Sequence, residues 1–178
     1  MFQILKKESL APQFKRYVIA APEIARKHRA GQFVLVMLHE HGERIPLTIA
    51  GSDKEAGTIT LVVQEVGKTT CEMGRLEEGD YIQDLLGPLG TPFEIKKVNC
   101  VVCVSGGLGV APMYPKARAY HELGTRVISL QGAQTRELLI LRDRMERVSD
   151  VVMYSTDDGS FGHHGFVTDL LADLLKSG

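Results

Sequence analysis

Residues 99–112 read NCVVCVSGGLGVAP, a run shaped like a buried strand that passes through a glycine turn into a helix. Neighbouring side chains on a strand alternate faces, so Cys100 and Cys103, three positions apart, project to opposite sides of a sheet. They cannot share a metal there. Set among Val101, Val102 and Val104, the two thiols read as small core residues, because a reactive cysteine pair normally opens a helix with its sulfur exposed. Downstream, Gly106, Gly107 and Gly109 make a tight turn without Cβ atoms, where a pyrophosphate can approach the backbone N–H groups at the positive end of a helix. Pro112 suits the first turn of that helix, since the donor it lacks would have no intrahelical partner. A full G-x-G-x-x-G starting at Gly107 fails, because Pro112 stands in its last place. No acid follows the second strand, which ends Gln131, Gly132, Ala133, Gln134. Read alone, the turn is either a dinucleotide cradle or a plain strand-to-helix connection.

Outward from this stretch the chain has two grains. Toward the C-terminus strand and helix alternate. VNCVVCVS is a strand, APMYPKARAYHEL a helix stopped by Gly124, TRVISLQG a strand and TRELLILRDRMERVS a helix. DVVMYS is then a third strand, and FVTDLLADLLK a helix with Val167, Leu170, Leu171, Leu174 and Leu175 on one stripe. This order predicts right-handed βαβ units on a parallel sheet. Toward the N-terminus the pattern is short runs between turn residues: FKRYVIAA, GQFVLVML, GTITLVVQEV and DYIQDLLG. In the third run Ile59, Leu61 and Val63 share one face while Thr60, Val62 and Gln64 share the other, which is strand periodicity. Such runs predict a small antiparallel barrel or sandwich. The boundary falls between Phe93 and Val98, dividing the chain into domains 1–96 and 97–178.

Composition narrows the function. The 178 residues are 44% hydrophobic and 24% charged, and the formal charge of -1 is spread without a basic patch, which argues against nucleic acid or an anionic membrane as partner. The opening MFQILKKESL is too short an apolar stretch for a signal peptide, and no run is long enough to cross a bilayer. Three cysteines form no even framework, so a reducing cytoplasm is the expected compartment. His39 and His41, and the adjacent His163 and His164, lack a third ligand at metal-binding spacing and read as surface loops. No metal site is expected.

The ordered set GERIPLTIA (42–50), EVGKTT (65–70), LLGPLG (85–90), GGLGVAP (106–112) and TDDGSFGHHGFVTD (156–169) resembles the ferredoxin–NADP reductase superfamily. Within it the chain is most similar to the small subunits of NADH-dependent ferredoxin:NADP oxidoreductases, also called sulfide dehydrogenase small subunits. Electron-transfer subunits of dihydroorotate dehydrogenase are close relatives. The resemblance implies an N-terminal antiparallel β-barrel that binds FAD, followed by an incomplete parallel α/β domain that binds NAD or NADP. It implies that Arg44 pairs with an FAD phosphate, a role suited to a planar, permanently charged fork. Pro46 and Leu47 carry the same motif, and Thr48 is placed beside the flavin ring as the catalytic candidate, where its hydrogen bond would help stabilise reduced flavin.

Gly67, Lys68, Thr69 and Thr70 match the second FAD segment, although relatives often have glycine at the place of Thr69; the alternative is a helix start capped by Thr69 or Thr70. Gly87 and Gly90 resemble a turn facing the nicotinamide, or form an ordinary β-turn. Gly106, Gly107, Gly109, Val110, Ala111 and Pro112 match the nicotinamide-dinucleotide turn. Asp157, beside Asp158, either hydrogen-bonds a ribose or caps the turn, and Arg136 is a weak candidate for a 2′-phosphate, so the choice between NAD and NADP stays open.

The implied activity is hydride transfer between NAD(P)H and flavin, then single electrons to an iron–sulfur centre or ferredoxin. A larger flavin/iron–sulfur subunit is the implied partner. The alternatives are a flavin-binding electron-transfer or docking subunit without a productive nicotinamide site, and a folded remnant that serves only as an interaction module. Relatives continue into further strands and a segment that holds a [2Fe–2S] cluster, and Cys71, Cys100 and Cys103 do not match its motif. The sequence therefore reads as a truncated chain, with weakened nicotinamide binding and an open strand edge at 98–104 that favours self-association.

Overall fold

Strand periodicity in the N-terminal half is realised as a sheet that curls on itself. The computed structural model describes residues 1–176 and divides into two units, Met1–Phe93 and Glu94–Gly178. The first contains β1 (Phe2–Ala11), β2 (Phe14–Ala20), α1 (Pro22–Lys27), β3 (Phe33–Met37), β4 (Ile45–Asp53), β5 (Thr58–Gln64), α2 (Lys68–Met73), β6 (Tyr81–Ile82) and β7 (Asp84–Leu89). Its seven strands run β6-β1-β2-β5-β4-β3-β7, antiparallel throughout, and form a nearly closed barrel.

The inward face of β5, Ile59, Leu61 and Val63, is buried together with Ile4, Tyr17, Ile19, Val34, Val36 and Ile49. Tyr17 reconciles its hydroxyl with this core by donating to the Met73 carbonyl at 2.9 Å, so the barrel interior fixes the far end of α2. The run DYIQDLLG, read as one strand, is two: β6 and β7 leave Gln83 between them and occupy opposite ends of the strand order. The short α1 gave little helical period to detect. Pro22 at its start, Glu23 in its first turn and Arg26 and Lys27 in its last suit the helix ends and dipole.

The second unit contains β8 (Cys100–Gly106), α3 (Val110–Glu122), β9 (Arg126–Ala133), α4 (Arg142–Glu146), β10 (Val151–Thr156), β11 (His163–His164) and α5 (Val167–Lys176). Its four strands are parallel in the order β11-β10-β9-β8. Two expectations need correction. The strand β8 lies at the sheet edge expected for 98–104, but the burial expected along it is incomplete: Cys100 is exposed, Val102 is 37% exposed, and only Cys103 and Ser105 along it are buried. Cys100 is therefore not a core residue, whereas burial pushes the Cys103 thiol pKa up.

The single helix expected over 135–149 is also broken. A 3₁₀ turn at Arg136–Leu138 gives way to Leu141 at φ 57° before α4 begins. The cause is a competing acceptor pairing: buried Gln131 donates from Nε2 to the Ile140 carbonyl at 2.7 Å, and Leu139 and Ile140 are drawn into the core. The helix α5 keeps its apolar stripe, yet none of its residues is fully buried and Leu175 is 72% exposed.

Candidate functional site

In the first unit the motif residues lie at the head of β4. Arg44 ends the loop that follows β3, and its Nη2 donates to Asp84 Oδ2 at 2.6 Å. The side chain is 39% exposed, and the rest of its fork has no other hydrogen bond among the described residues. Pro46 is exposed; Leu47 and Thr48 are half-buried, with Thr48 registered against Phe33 of β3. The Thr48 hydroxyl makes no hydrogen bond among the described residues. A charged fork with free donors and a free hydroxyl four residues further along one strand form a donor set that fits a flavin dinucleotide.

The segment Gly67–Thr70 starts α2, with Gly67 as its cap residue. Thr70 Oγ1 accepts from the Gly67 and Val66 N–H groups at 2.9 and 3.1 Å, so this hydroxyl closes the turn. Thr69 is buried and donates to Glu43, in the β3–β4 loop. The N–H groups of Lys68 and Thr69, in the first helical turn, have no intrahelical acceptor. Between this helix and the β3–β4 loop lies a cavity of about 260 Å³ lined by His39, His41, Glu43, Lys68, Thr69 and Glu72, among others. His39 Nε2 stands 3.3 Å from Glu72 Oε1 across it. In sequence Glu43 carries no signal of its own and the two histidines look like plain surface; only their nearness to Arg44 hints at a shared site.

Gly87 and Gly90 have a local structural reason. A Cβ on Gly87 would lie 2.7 Å from Val34 Cγ1, and one on Gly90 would lie 3.0 Å from Phe33 Cε1, so β3 requires both to be bare.

In the second unit the turn at the end of β8 behaves differently. A Cβ added to Gly106, Gly107 or Gly109 would meet nothing within 4 Å. These glycines are not demanded by packing, although Gly107 at φ +50° has a backbone reason as well. A 3₁₀ turn, Gly107–Gly109, joins β8 to the thirteen-residue α3; the Val110 N–H bonds to carbonyls of that turn and Pro112 has none, so it is the backbone of the glycine turn that lies open to an anion. Open space over bare backbone is what a pyrophosphate needs, so the turn fits a dinucleotide. Val110 and Ala111 have buried side chains, and Pro112 lies in the first turn of α3.

The two aspartates after β10 are distinguished by their bonding. Asp158 accepts from Ser160 N and Oγ at 2.9 and 2.6 Å, closing the turn and holding its carboxyl below the usual range. Asp157 is exposed, and its carboxylate has no hydrogen bond among the described residues. The Arg136 guanidinium lies 5.3 Å from the centroid of Phe161, whose ring also carries Arg142 at 4.3 Å. Among the described residues no group of three or more His, Cys, Asp or Glu side chains is placed to hold a metal ion. No helix among them is long and apolar enough to cross a membrane.

A nearly closed antiparallel barrel joined in sequence to a parallel α/β unit is the architecture of ferredoxin reductase-like proteins. No family model matches the chain. Across 98% of its length it is 44% identical to the "Dihydroorotate dehydrogenase B (NAD(+)), electron transfer subunit homolog" of Thermotoga maritima, covering 61% of that protein. It is 30% identical to the corresponding electron transfer subunit of Streptococcus pneumoniae, over 97% of this chain and 68% of that one. The solved structure of an NADH-dependent reduced ferredoxin–NADP oxidoreductase, described in work on flavin-based electron bifurcation, superposes with a TM-score of 0.94 at 42% identity, covering 100% of this chain and 64% of that one. The chain belongs to the family of dihydroorotate dehydrogenase B-type electron-transfer subunits. It spans about three-fifths of the Thermotoga relative's length.

Proposed function

We propose that the chain is an FAD- and nicotinamide-binding electron-transfer module of an oxidoreductase, acting beside a larger flavin/iron–sulfur subunit. The observation that carries the reading is the head of β4: Arg44, just before the strand, keeps most of its fork free and Thr48 keeps an unused hydroxyl, a donor pair suited to a phosphate anchor and a ring partner. When bound, FAD supplies the conversion between a two-electron hydride donor and a one-electron acceptor. Arg44 anchors phosphate charge, and Thr48 offers its hydroxyl beside the ring. In the second unit the Gly106–Gly109 backbone accepts the pyrophosphate of the nicotinamide cofactor, and Asp157 offers its carboxylate to a ribose hydroxyl. None of these side chains has to act as an acid or base, so catalysis here consists mainly of positioning.

NADH is the proposed donor, in line with the NAD(+) in the names of the relatives. An iron–sulfur centre or ferredoxin is the proposed acceptor. The free cysteines suit a reducing cytoplasm.

The test is to purify the chain, titrate it with FAD and follow flavin absorbance while adding NADH or NADPH without oxygen. Stoichiometric yellow protein that bleaches on NADH supports the reading. Bound flavin that neither nucleotide bleaches leaves a docking or electron-transfer subunit without a nicotinamide site. A folded chain that rejects FAD overturns the reading.

A further inference from the structure

The loop between β3 and β4 is fastened to α2 at two places. Thr69 Oγ1 donates to Glu43 Oε1, and His39 Nε2 meets Glu72 Oε1 at 3.3 Å. The first contact joins the residue immediately before Arg44 to the residue between Lys68 and Thr70, so it spans both segments that carry the flavin reading. Its placement is unexpected on electrostatic grounds. A carboxylate beside an arginine that must attract phosphate weakens that attraction, unless it does something else in return. Thr69 is equally conspicuous: it is buried, and its hydroxyl has Glu43 as its hydrogen-bond partner.

We propose that Glu43 and Thr69 are a pair of positioning residues for FAD, an inference that rests on the flavin reading above. Their hydrogen bond locks the β3–β4 loop onto α2, so that Arg44 and the Gly67–Thr70 segment meet the dinucleotide in one fixed relation. A loop held in its binding geometry before the ligand arrives loses less freedom on binding, which raises affinity without a new ligand contact. Thr69 thus supplies the hydroxyl for the brace, and Glu43 its acceptor.

The experiment measures FAD dissociation constants by flavin fluorescence, with the urea midpoint of each FAD-free variant as control. Thr69→Val keeps the shape and removes the hydroxyl; Thr69→Ser keeps the hydroxyl. Thr69→Val should weaken FAD binding by about 10-fold, as for loss of a charge-assisted hydrogen bond, and Thr69→Ser should restore most of it. Glu43→Ala should match Thr69→Val, and the double variant should bind no worse than either single one. In an Arg44→Ala background the Thr69→Val effect should shrink to under about 2-fold, a coupling that general destabilisation would not produce. If Thr69→Val fails to fold, Glu43→Ala, on an exposed loop position, carries the same comparison. Additive losses, or a Thr69→Val protein that binds FAD like the parent, overturn the brace and leave the flavin reading intact. A parent chain that rejects FAD overturns both.

Discussion

Arg44 Nη2 lies 2.6 Å from Asp84 Oδ2, joining the head of β4 to the first residue of β7. Both side chains are about two-fifths exposed, so the pair adds no more than about 1 kcal/mol to stability. Its value lies in aiming the fork while leaving the remaining donors to a ligand. Arg44→Ala should therefore weaken FAD binding by about 10- to 100-fold, the loss of a charged hydrogen-bond donor, with little change in thermal midpoint. Asp84→Asn keeps the acceptor oxygen and should cost less than about 5-fold. A fluorescence titration in which the asparagine variant loses more than the alanine variant would contradict this assignment.

Gly109 offers a separation of structure from binding that most glycines do not. It has an ordinary helical conformation, φ -59°, and open space where a Cβ would stand. Gly109→Val should keep the unfolding free energy measured in urea within about 1 kcal/mol of the parent, the cost of a β-branched residue in place of a helix-cap glycine. The same side chain would fill the space over the turn and prevent close approach of a pyrophosphate. NADH bleaching of bound flavin should fall by at least about 10-fold while FAD content stays unchanged. Unaltered bleaching would remove the turn from the nicotinamide site.

Asp157 and Asp158 are adjacent, but only Asp158 spends its carboxylate on the turn. Asp157→Asn should therefore weaken NADH binding by about 5-fold, because an amide is a poorer ribose acceptor than a carboxylate. It should also reduce discrimination against NADPH, since one negative charge near a 2′-phosphate is gone. Asp158→Asn should instead act through the turn, lowering stability and both affinities together. Equal NADH/NADPH ratios in parent and Asp157→Asn would show that this carboxylate does not meet the ribose.

What the sequence disclosed, and what it hid, follows from the range of the interactions involved. Period-two alternation in β5 and the glycine turn before α3 are local, so both were legible. The break at Leu141 was not, because it depends on Gln131 reaching the Ile140 carbonyl from another element. The open edge of β8 was expected, but its run of Val and Cys still suggested burial on both faces; burial depends on neighbours, and among the described residues β8 has a strand on one side only. In the candidate flavin site Arg44 and Thr48 stood out through their motif. Glu43 did not, since its meaning comes from Thr69, twenty-six residues away.

The free edge of β8 makes a prediction about assembly. Its unpaired N–H and C=O groups lie beside Val102 and near Val98, both more than one-third exposed, and the neighbouring α5 leaves Leu175 uncovered. Such an edge is a template for strand addition. The chain should self-associate, with a sedimentation coefficient that rises with concentration, and Val102→Lys should return it to monomer. A single monomeric boundary for the parent at every concentration would show that the edge is protected.

His28 gives the fold a pH dependence that can be worked out in sign. Its Nδ1 lies 2.8 Å from Ser52 Oγ, while Nε2 is buried without a hydrogen-bond partner. Burial, and secondarily the positive charge of Lys54, lower its pKa from 6.5 to about 4. The unfolded chain therefore binds a proton that the folded chain refuses between those values. This contribution to stability is complete above about pH 6.5 and is lost as pH falls toward about 4. By pH 5 the loss from this one group should reach roughly 2 kcal/mol. Carboxylates also titrate near that range, so the informative quantity is the difference between parent and His28→Gln in urea unfolding at pH 7 and pH 5. Whatever its stability at pH 7, the variant's decline on acidification should be shallower than the parent's. Parallel declines would mean that His28 takes up its proton in the folded protein as readily as in the unfolded chain.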